Sequence, residues 1–204
     1  MNAGRRYRAV VLGVSTGGVE ALKRILPALP GDFPLPLMIV IHIAPGSGDG
    51  LAMLLDAQSR IRVKEADEGE TIVAGTAYLA PANYHLLVEG DGTLALSTDA
   101  TVNCARPSVD VLFESAAACY GAGLIGVVLT GAGADGAAGL RRIRELGGYA
   151  LVQDPADAVM DAMPANALAV AGANRMATLE RMPDLLQALA ALEPGTALYE
   201  EGLC

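Results

Sequence analysis

Apolar residues in this chain follow two spacings that take turns. "YRAVVLGVS" is a short run dense in Val and bounded by Gly, the pattern of a strand buried on both faces. In "GVEALKRILPALP", Val19, Leu22, Ile25, Leu26 and Leu29 recur at helical spacing until Pro30 stops them. "LPLMIVIHIAPG" repeats the buried-strand pattern and ends in a Pro-Gly turn, and "DGLAMLLDAQS" predicts a helix with Asp49 as its N-cap. Strands alternating with helices imply a parallel sheet covered by helices.

The middle of the chain reads differently. "RIRVKEADEGETIVAGTAYLAPANYHLLVEGDGTLALS" contains short strands between Gly, Asn and Asp turns, with "EGDGT" as a hairpin signal, so a small antiparallel element is expected there. The alternation then resumes with a helix in "RPSVDVLFESAAACYG", a strand in "GLIGVVLTG", a helix in "DGAAGLRRIRELGG" and a strand in "YALVQD". "MPANALAVAG" and "LERMPDLLQALAAL" close with helices, and "EPGTALYEEGLC" reads as a loose tail. The expectation is an α/β fold: a doubly wound, mostly parallel sheet with helices on both faces and a small antiparallel hairpin. No repeat or linker divides the 204 residues, so one domain over 1–204 is expected, with its core at about 8–192.

Composition narrows the functional classes. A hydrophobic fraction of 52% against 18% charged residues fits a packed globular chain and not a disordered one. A net charge of −9 without a Lys/Arg cluster argues against a nucleic-acid partner. No signal-peptide pattern opens the chain, and no apolar stretch reaches the roughly 20 residues of a membrane span, so the chain is not expected to insert into a membrane. Cys104, Cys119 and Cys204 follow no metal or redox spacing and fit a reducing compartment, so a cytoplasmic location is expected. No His, Asp and Glu set has metal-ligand spacing, and neither a metal nor another cofactor is expected.

Ligands of open parallel sheets bind beyond the carboxyl ends of the strands. Three polar residues lie just past expected strand ends: Ser15 after "VVLGV", His42 in "LMIVIHI" and Asp135 in "VVLTGAGADG". A hydroxyl, an imidazole and a carboxylate at one sheet edge are the parts of an acyl-transfer triad, in which the base activates the hydroxyl and the carboxylate orients the base. Gly13, Gly17 and Gly18 permit a sharp strand-to-helix turn and close approach of a substrate, and the amide of Thr16 leads the candidates for an oxyanion donor. Other readings of "GVSTGG" stay open. Gly-rich turns of this kind also bind phosphate, although the stretch lacks the G-x-G-x-x-G pattern and the P-loop Lys, and it could be a plain turn. By itself His42 reads as a core histidine and Asp135 as an N-cap of the helix that follows it. His85, at the start of a strand in the antiparallel region, reads as structural or as a substrate-edge residue.

"GVSTGG", "VIHIAPG", "EADEGETIVAGTAYLAPANYHLLV", "RPSVDVLFESAA", "GVVLTGAGADGAAGL" and "QDPADAVMDAMPANAL" occur in the order found in the catalytic domain of chemotaxis-receptor methylesterases of the CheB type. The resemblance runs from about Arg8 to Leu192. It implies a serine hydrolase that removes methyl esters from glutamates on receptor signalling helices and can deamidate glutamines there. By motif it makes Ser15 the nucleophile, His42 the base and Asp135 the orienting acid; Thr16, Gly17 and Ala132 are the expected oxyanion and substrate-contact residues. Some positions depart from the family pattern. Ile41 stands where a Gln usually precedes the catalytic His, "IAPG" replaces the usual Met-Pro, Ala132 replaces a Met that lines the site, and Ala105 replaces a His.

Family members commonly carry an N-terminal receiver domain. None precedes the first strand in this sequence, so regulation is expected from a separate response-regulator partner or from expression. The partner implied by the resemblance is a methyl-accepting chemotaxis-type receptor. Two alternatives remain beside it: a non-catalytic module that binds a receptor or regulator on the same fold, and an esterase or amidase for a small molecule.

Overall fold

The computed structural model describes residues 6–42 and 50–193. In chain order its elements are β1 (Ala9–Val14), α1 (Gly18–Ile25), β2 (Leu37–Ile41), α2 (Leu51–Gln58), β3 (Arg62–Glu65), β4 (Thr76–Leu79), β5 (His85–Val88) and β6 (Leu94–Ser97). There follow α3 (Val109–Tyr120), β7 (Leu124–Val128), α4 (Ala137–Glu145), β8 (Tyr149–Gln153), α5 (Ala162–Val170), β9 (Arg175–Ala177) and α6 (Met182–Ala191). Among the described residues, seven strands pair in the order β3-β4-β2-β1-β7-β8-β9, every pair parallel. β5 and β6 form a separate antiparallel pair closed by the Glu89–Thr93 turn.

Strand alternation sorts the core into two layers. Val10, Leu12 and Val14 of β1 and Leu37, Ile39 and Ile41 of β2 pack with Leu22 and Ile25 of α1, Leu55 of α2 and Leu186 of α6. Ala9 and Val11 of β1 and Met38 and Val40 of β2 face the other way. They meet Val109, Leu112 and Phe113 of α3, Leu140 of α4, Met163 of α5 and the β5–β6 pair. Central strands covered on both faces can be apolar throughout, which is why β1, β2 and β7 read as unbroken hydrophobic runs.

The sheet departs from the sequence-based expectation at several places. β3 and β4 are not part of the antiparallel element; they extend the parallel sheet beyond β2, and only β5 and β6 make the hairpin. α2 begins at Leu51 behind a left-handed Gly50; Asp49, expected as its cap, lies outside the described residues. The expected "IAPG" turn and the tail beyond Glu193 also lie outside them. β9 was not anticipated.

The chain turns to opposite sides of β1: β2 pairs on one side and β7 on the other. The carboxyl ends of β2, β1 and β7 therefore flank the switch point of the sheet, where a crevice opens. Gly13 is the close-approach point on that side. A Cβ at Gly13 would overlap both methyls of Val109, the first residue of α3. Gly13→Ala is therefore expected to push α3 off the strand and to cost about 1–3 kcal/mol of stability. Urea unfolding of the parent and variant measures this; an unchanged midpoint would contradict the close approach.

Candidate active site

Ser15 and His42 each lie one residue beyond a strand. The β1–β2 register pairs Val14 with Ile41, and His42 N–H donates to the Val14 carbonyl at 3.0 Å, so the ladder carries Ser15 and His42 out side by side. Continuing the alternation of Val11 and Gly13, and of Met38 and Val40, turns both side chains to the α3 side of the sheet. Ser15 N–H donates to Thr130 O at 3.0 Å, which ties the nucleophile candidate to the segment leaving β7. Gly131 lies directly beneath it, where a Cβ would come within 2.8 Å of Ser15 Cβ and run into Met163.

The turn after Ser15 is set by glycine. Gly18 N–H donates to the Ser15 carbonyl at 2.7 Å, and Gly17 has φ 83° and ψ −2°, the values of the third residue of a type II turn. That left-handed backbone requires Gly, and Val159 and Thr130 leave no space for a side chain there in any case. α1 starts at Gly18, directly behind the turn.

Asp135 is 5% exposed and accepts from four donors, with His42 as a fifth polar neighbour. Its Oδ2 accepts the Val109 N–H at 2.7 Å and lies 2.9 Å from His42 Nε2. Its Oδ1 accepts from Ser108 Oγ at 2.8 Å, Asn103 Nδ2 at 2.8 Å and the Asp110 N–H at 3.1 Å. Val109 and Asp110 open α3, so the carboxylate sits on a helix N-terminus, where unpaired N–H groups and the helix dipole favour an anion. The 2.9 Å contact with His42 is in hydrogen-bond range, but the ring N–H is not aligned on the oxygen. Such contacts often tighten only when substrate binds.

Burial by itself would raise the Asp135 pKa. The bonds from His42, Asn103, Val109 and Asp110 override it and lower the pKa from 3.8 to about 2. Asp110 behaves oppositely: burial and then the Asp135 charge raise its pKa, against bonds from Gly139 N–H and Asn103. Asn103 thus bridges the two carboxylates, donating to Asp110 Oδ2 at 2.7 Å and to Asp135 Oδ1 at 2.8 Å.

The structure places Ser15 and His42 side by side at the carboxyl ends of β1 and β2, with Asp135 in contact with His42. Asp135 does bind a helix start, but that of α3 and not that of α4, whose N-cap is Gly136. Thr16 and Gly17 form the turn beside Ser15, while Ala132 lies exposed on the segment after β7 and Ile41 is buried with α1, away from the cleft. His85 is 1% exposed; its Nδ1 accepts the Ser108 N–H and its Nε2 donates to Ala100 O, so it braces the loop before α3. Asn103, Ser108, Asp110 and Thr130 were not among the residues singled out from sequence. Only "RPSVD" carried a signal, a Ser before a helix with an acid in its first turn. Among the described residues no group of His, Cys, Asp and Glu could hold a metal ion, and no helix is long and apolar enough to cross a membrane.

A Ser, a His and a buried Asp at the switch point of a parallel sheet are the arrangement a serine hydrolase of the α/β class would use. The CheB methylesterase family profile matches residues 10–186, and the chain belongs to that family. A Leptospira interrogans protein whose name carries the designation protein-glutamate methylesterase/protein-glutamine glutaminase in provisional form is 47% identical over 88% of this chain and 93% of its own. The enzyme of that name numbered 2 from Cupriavidus pinatubonensis is 44% identical over 89% of this chain, and one from Paraburkholderia xenovorans is 43% identical over 86%. The chain spans about half the length of these two relatives (51% and 49%). The crystal structure of the Thermotoga maritima CheB methylesterase catalytic domain superposes with a TM-score of 0.87 at 35% identity, over 90% of this chain and 98% of that one.

The depressed Asp135 pKa makes its stabilisation pH-dependent. A carboxylate with a lowered folded pKa contributes stability that is full above its ordinary value of 3.8 and is lost as the pH falls through about 2. Asp110 shifts the other way, so the protein's own pH curve mixes the two. The expected result is a gap in unfolding free energy between parent and Asp135→Asn that is widest above about pH 4 and narrows by about 2 kcal/mol toward pH 2. A gap that stays constant over that range would show that these neighbours do not hold the anion.

Proposed function

We propose that this protein is a serine hydrolase that demethylates glutamate methyl esters, and deamidates glutamines, on the cytoplasmic signalling helices of chemotaxis-type receptors. On this reading the chain works as one domain with its core at about 8–192, without cofactor, in the cytoplasm. A response regulator supplied as a separate partner is the proposed source of control. Family membership and the shared designation of the relatives support the reaction type. The observation that carries the assignment of residues is the 2.9 Å contact between His42 Nε2 and Asp135 Oδ2, with Ser15 one register step beyond the same strand pair.

The chemistry follows from that arrangement. Nε2 faces the carboxylate, so Nδ1 is the ring nitrogen that serves Ser15. Ser15 Oγ attacks the ester carbonyl as His42 takes its proton. The oxyanion of the tetrahedral intermediate is met by amides of the Thr16–Gly17 turn, and Asp135 stabilises the imidazolium. Collapse transfers the proton from His42 to the leaving methoxide and releases methanol, or ammonia from a glutamine. A water molecule, deprotonated by His42, then attacks the acyl-Ser15 ester. The glutamate carboxylate leaves and the Ser15 hydroxyl is restored.

The test is methanol release from a methylated receptor fragment by the parent, Ser15→Ala and Asp135→Asn. Ser15→Ala is expected to cut kcat by at least about a thousandfold with unfolding unchanged. Most of the activity surviving in Ser15→Ala would sink the triad. Hydrolysis of small methyl esters with none of the peptide would instead support the small-molecule reading, and no hydrolysis of either would support a binding module.

A further inference from the structure

Thr130, just past β7, is 1% exposed and bonded on both of its polar sides. Its carbonyl accepts the Ser15 N–H at 3.0 Å. Its hydroxyl donates to the Thr16 carbonyl at 2.9 Å, with the Met160 carbonyl as a longer second acceptor at 3.3 Å, and accepts the Met160 N–H at 3.0 Å. Its N–H donates to Gln153 Oε1 at 2.9 Å; Gln153 in turn donates to Asp157 Oδ2 at 2.9 Å, which also accepts the Leu179 N–H. One buried residue therefore grips the nucleophile turn at two peptide units, 14–15 and 16–17, and is itself anchored to β8 and the 154–160 loop.

The second grip has a directional consequence. The C=O of Thr16 and the N–H of Gly17 belong to one planar trans peptide and point in opposite directions. Fixing the Thr16 carbonyl on Thr130 Oγ1 turns the Gly17 N–H away from Thr130. The central peptide of such a turn is also the one that flips between type I and type II, and glycine at its third position removes the steric bar to either form. The turn alone thus leaves the direction of that N–H undecided, and the Thr130 hydroxyl decides it.

We propose that Thr130 is a positioning residue: its hydroxyl holds the Thr16–Gly17 peptide so that the Gly17 N–H stays available to the oxyanion formed on the Ser15 adduct. The proposal rests on Ser15 being the nucleophile. Thr130 touches no reacting atom and acts through the turn. A donor that need not reorient during the reaction is worth far more than one that must, so loss of the clamp falls on kcat.

The experiment compares the parent with Thr130→Val, which keeps the shape and loses the hydroxyl, and Thr130→Ser, which keeps the hydroxyl and loses the methyl. On a methylated receptor fragment, Thr130→Val is expected to lower kcat by about tenfold to a hundredfold with KM within about threefold, and Thr130→Ser to stay within about threefold of the parent. Equal kcat in parent and Thr130→Val, or equal damage in Val and Ser variants, overturns the role of the hydroxyl. If Thr130→Val does not fold, Thr130→Ala gives the same comparison without the unmatched branched side chain. Crystal structures of the same variants make the test independent of activity. A rotated 16–17 peptide in the Val variant supports the clamp, and an unmoved one overturns it. A parent that hydrolyses no ester and whose Ser15 takes no label from a fluorophosphonate defeats the nucleophile assignment instead, and the 16–17 peptide in the two crystal structures still decides the clamp.

Discussion

The anion of Asp135 on the first turn of α3 is the interaction around which the site is arranged. A helix start placed there needs room, and three glycines provide it. Gly13 and Gly136 give way to the methyls of Val109, and Gly139 lets α4 close on Phe113 and Asp110. Had any of these carried a side chain, the N–H groups of Val109 and Asp110 would stand off and the carboxylate would lose two of its four donors. A buried carboxylate with fewer donors drifts toward its neutral form, and a neutral acid cannot stabilise an imidazolium. The packing of α3 on β1 and the chemistry of His42 are in this sense one constraint.

The two core layers contribute differently. The layer with α1, α2 and α6 is apolar through to the strand ends and fixes how β1 and β2 lie in register. The layer with α3, α4 and α5 becomes polar at its upper edge, and that is where Ser15 and His42 emerge. Ser15 and His42 each sit one step beyond a strand while the backbone still prolongs a ladder: His42 N–H on Val14, Ser15 N–H on Thr130, with Leu129 N–H on Gly13 beside them. Precision comes from the ladder and freedom of the side chain from its ending.

How much of this could be read from the sequence depended on the range of the interaction concerned. β1, β2, β7 and β8 announce themselves as short apolar runs closed by Gly or a turn, and α1 and α4 by their spacing, so the doubly wound architecture was legible. β3 and β4 read as hairpin strands because four-residue strands between Gly and Asp turns look alike whether the partner lies nearby or across a crossover. β9, at three residues, is too short to show a period. Ser15, His42 and Asp135 could be picked out because strand ends are local features. Asn103 could not: nothing around it hints that its amide spans the carboxylates of Asp110 and Asp135, the second of them 32 positions away. Asp135 was legible as a helix-capping acid only for the wrong helix, since an acid followed by a helix is a local signal and an acid on a helix that began 26 positions earlier is not.

The choice of partners for Asp135 bears on what it can do. A carboxylate can be held ionised in a protein interior by a cation or by a set of neutral donors. Lys or Arg would serve for burial, but would also cancel the charge that the histidine must see when it becomes protonated. Here the holders are two backbone amides, a serine hydroxyl and an asparagine amide, all neutral, and the fifth neighbour is His42 itself. In the proposed mechanism the negative charge therefore stays uncompensated until His42 takes a proton, at which moment a cation appears at 2.9 Å from it. Asp110 sharpens the point. A second acid this close raises the cost of keeping Asp135 ionised; burial and the Asp135 charge push its own pKa up, against the N–H of Gly139 and the shared Asn103 amide. An interior built this way spends neutral hydrogen bonds to keep one full charge in reserve for the step that needs it.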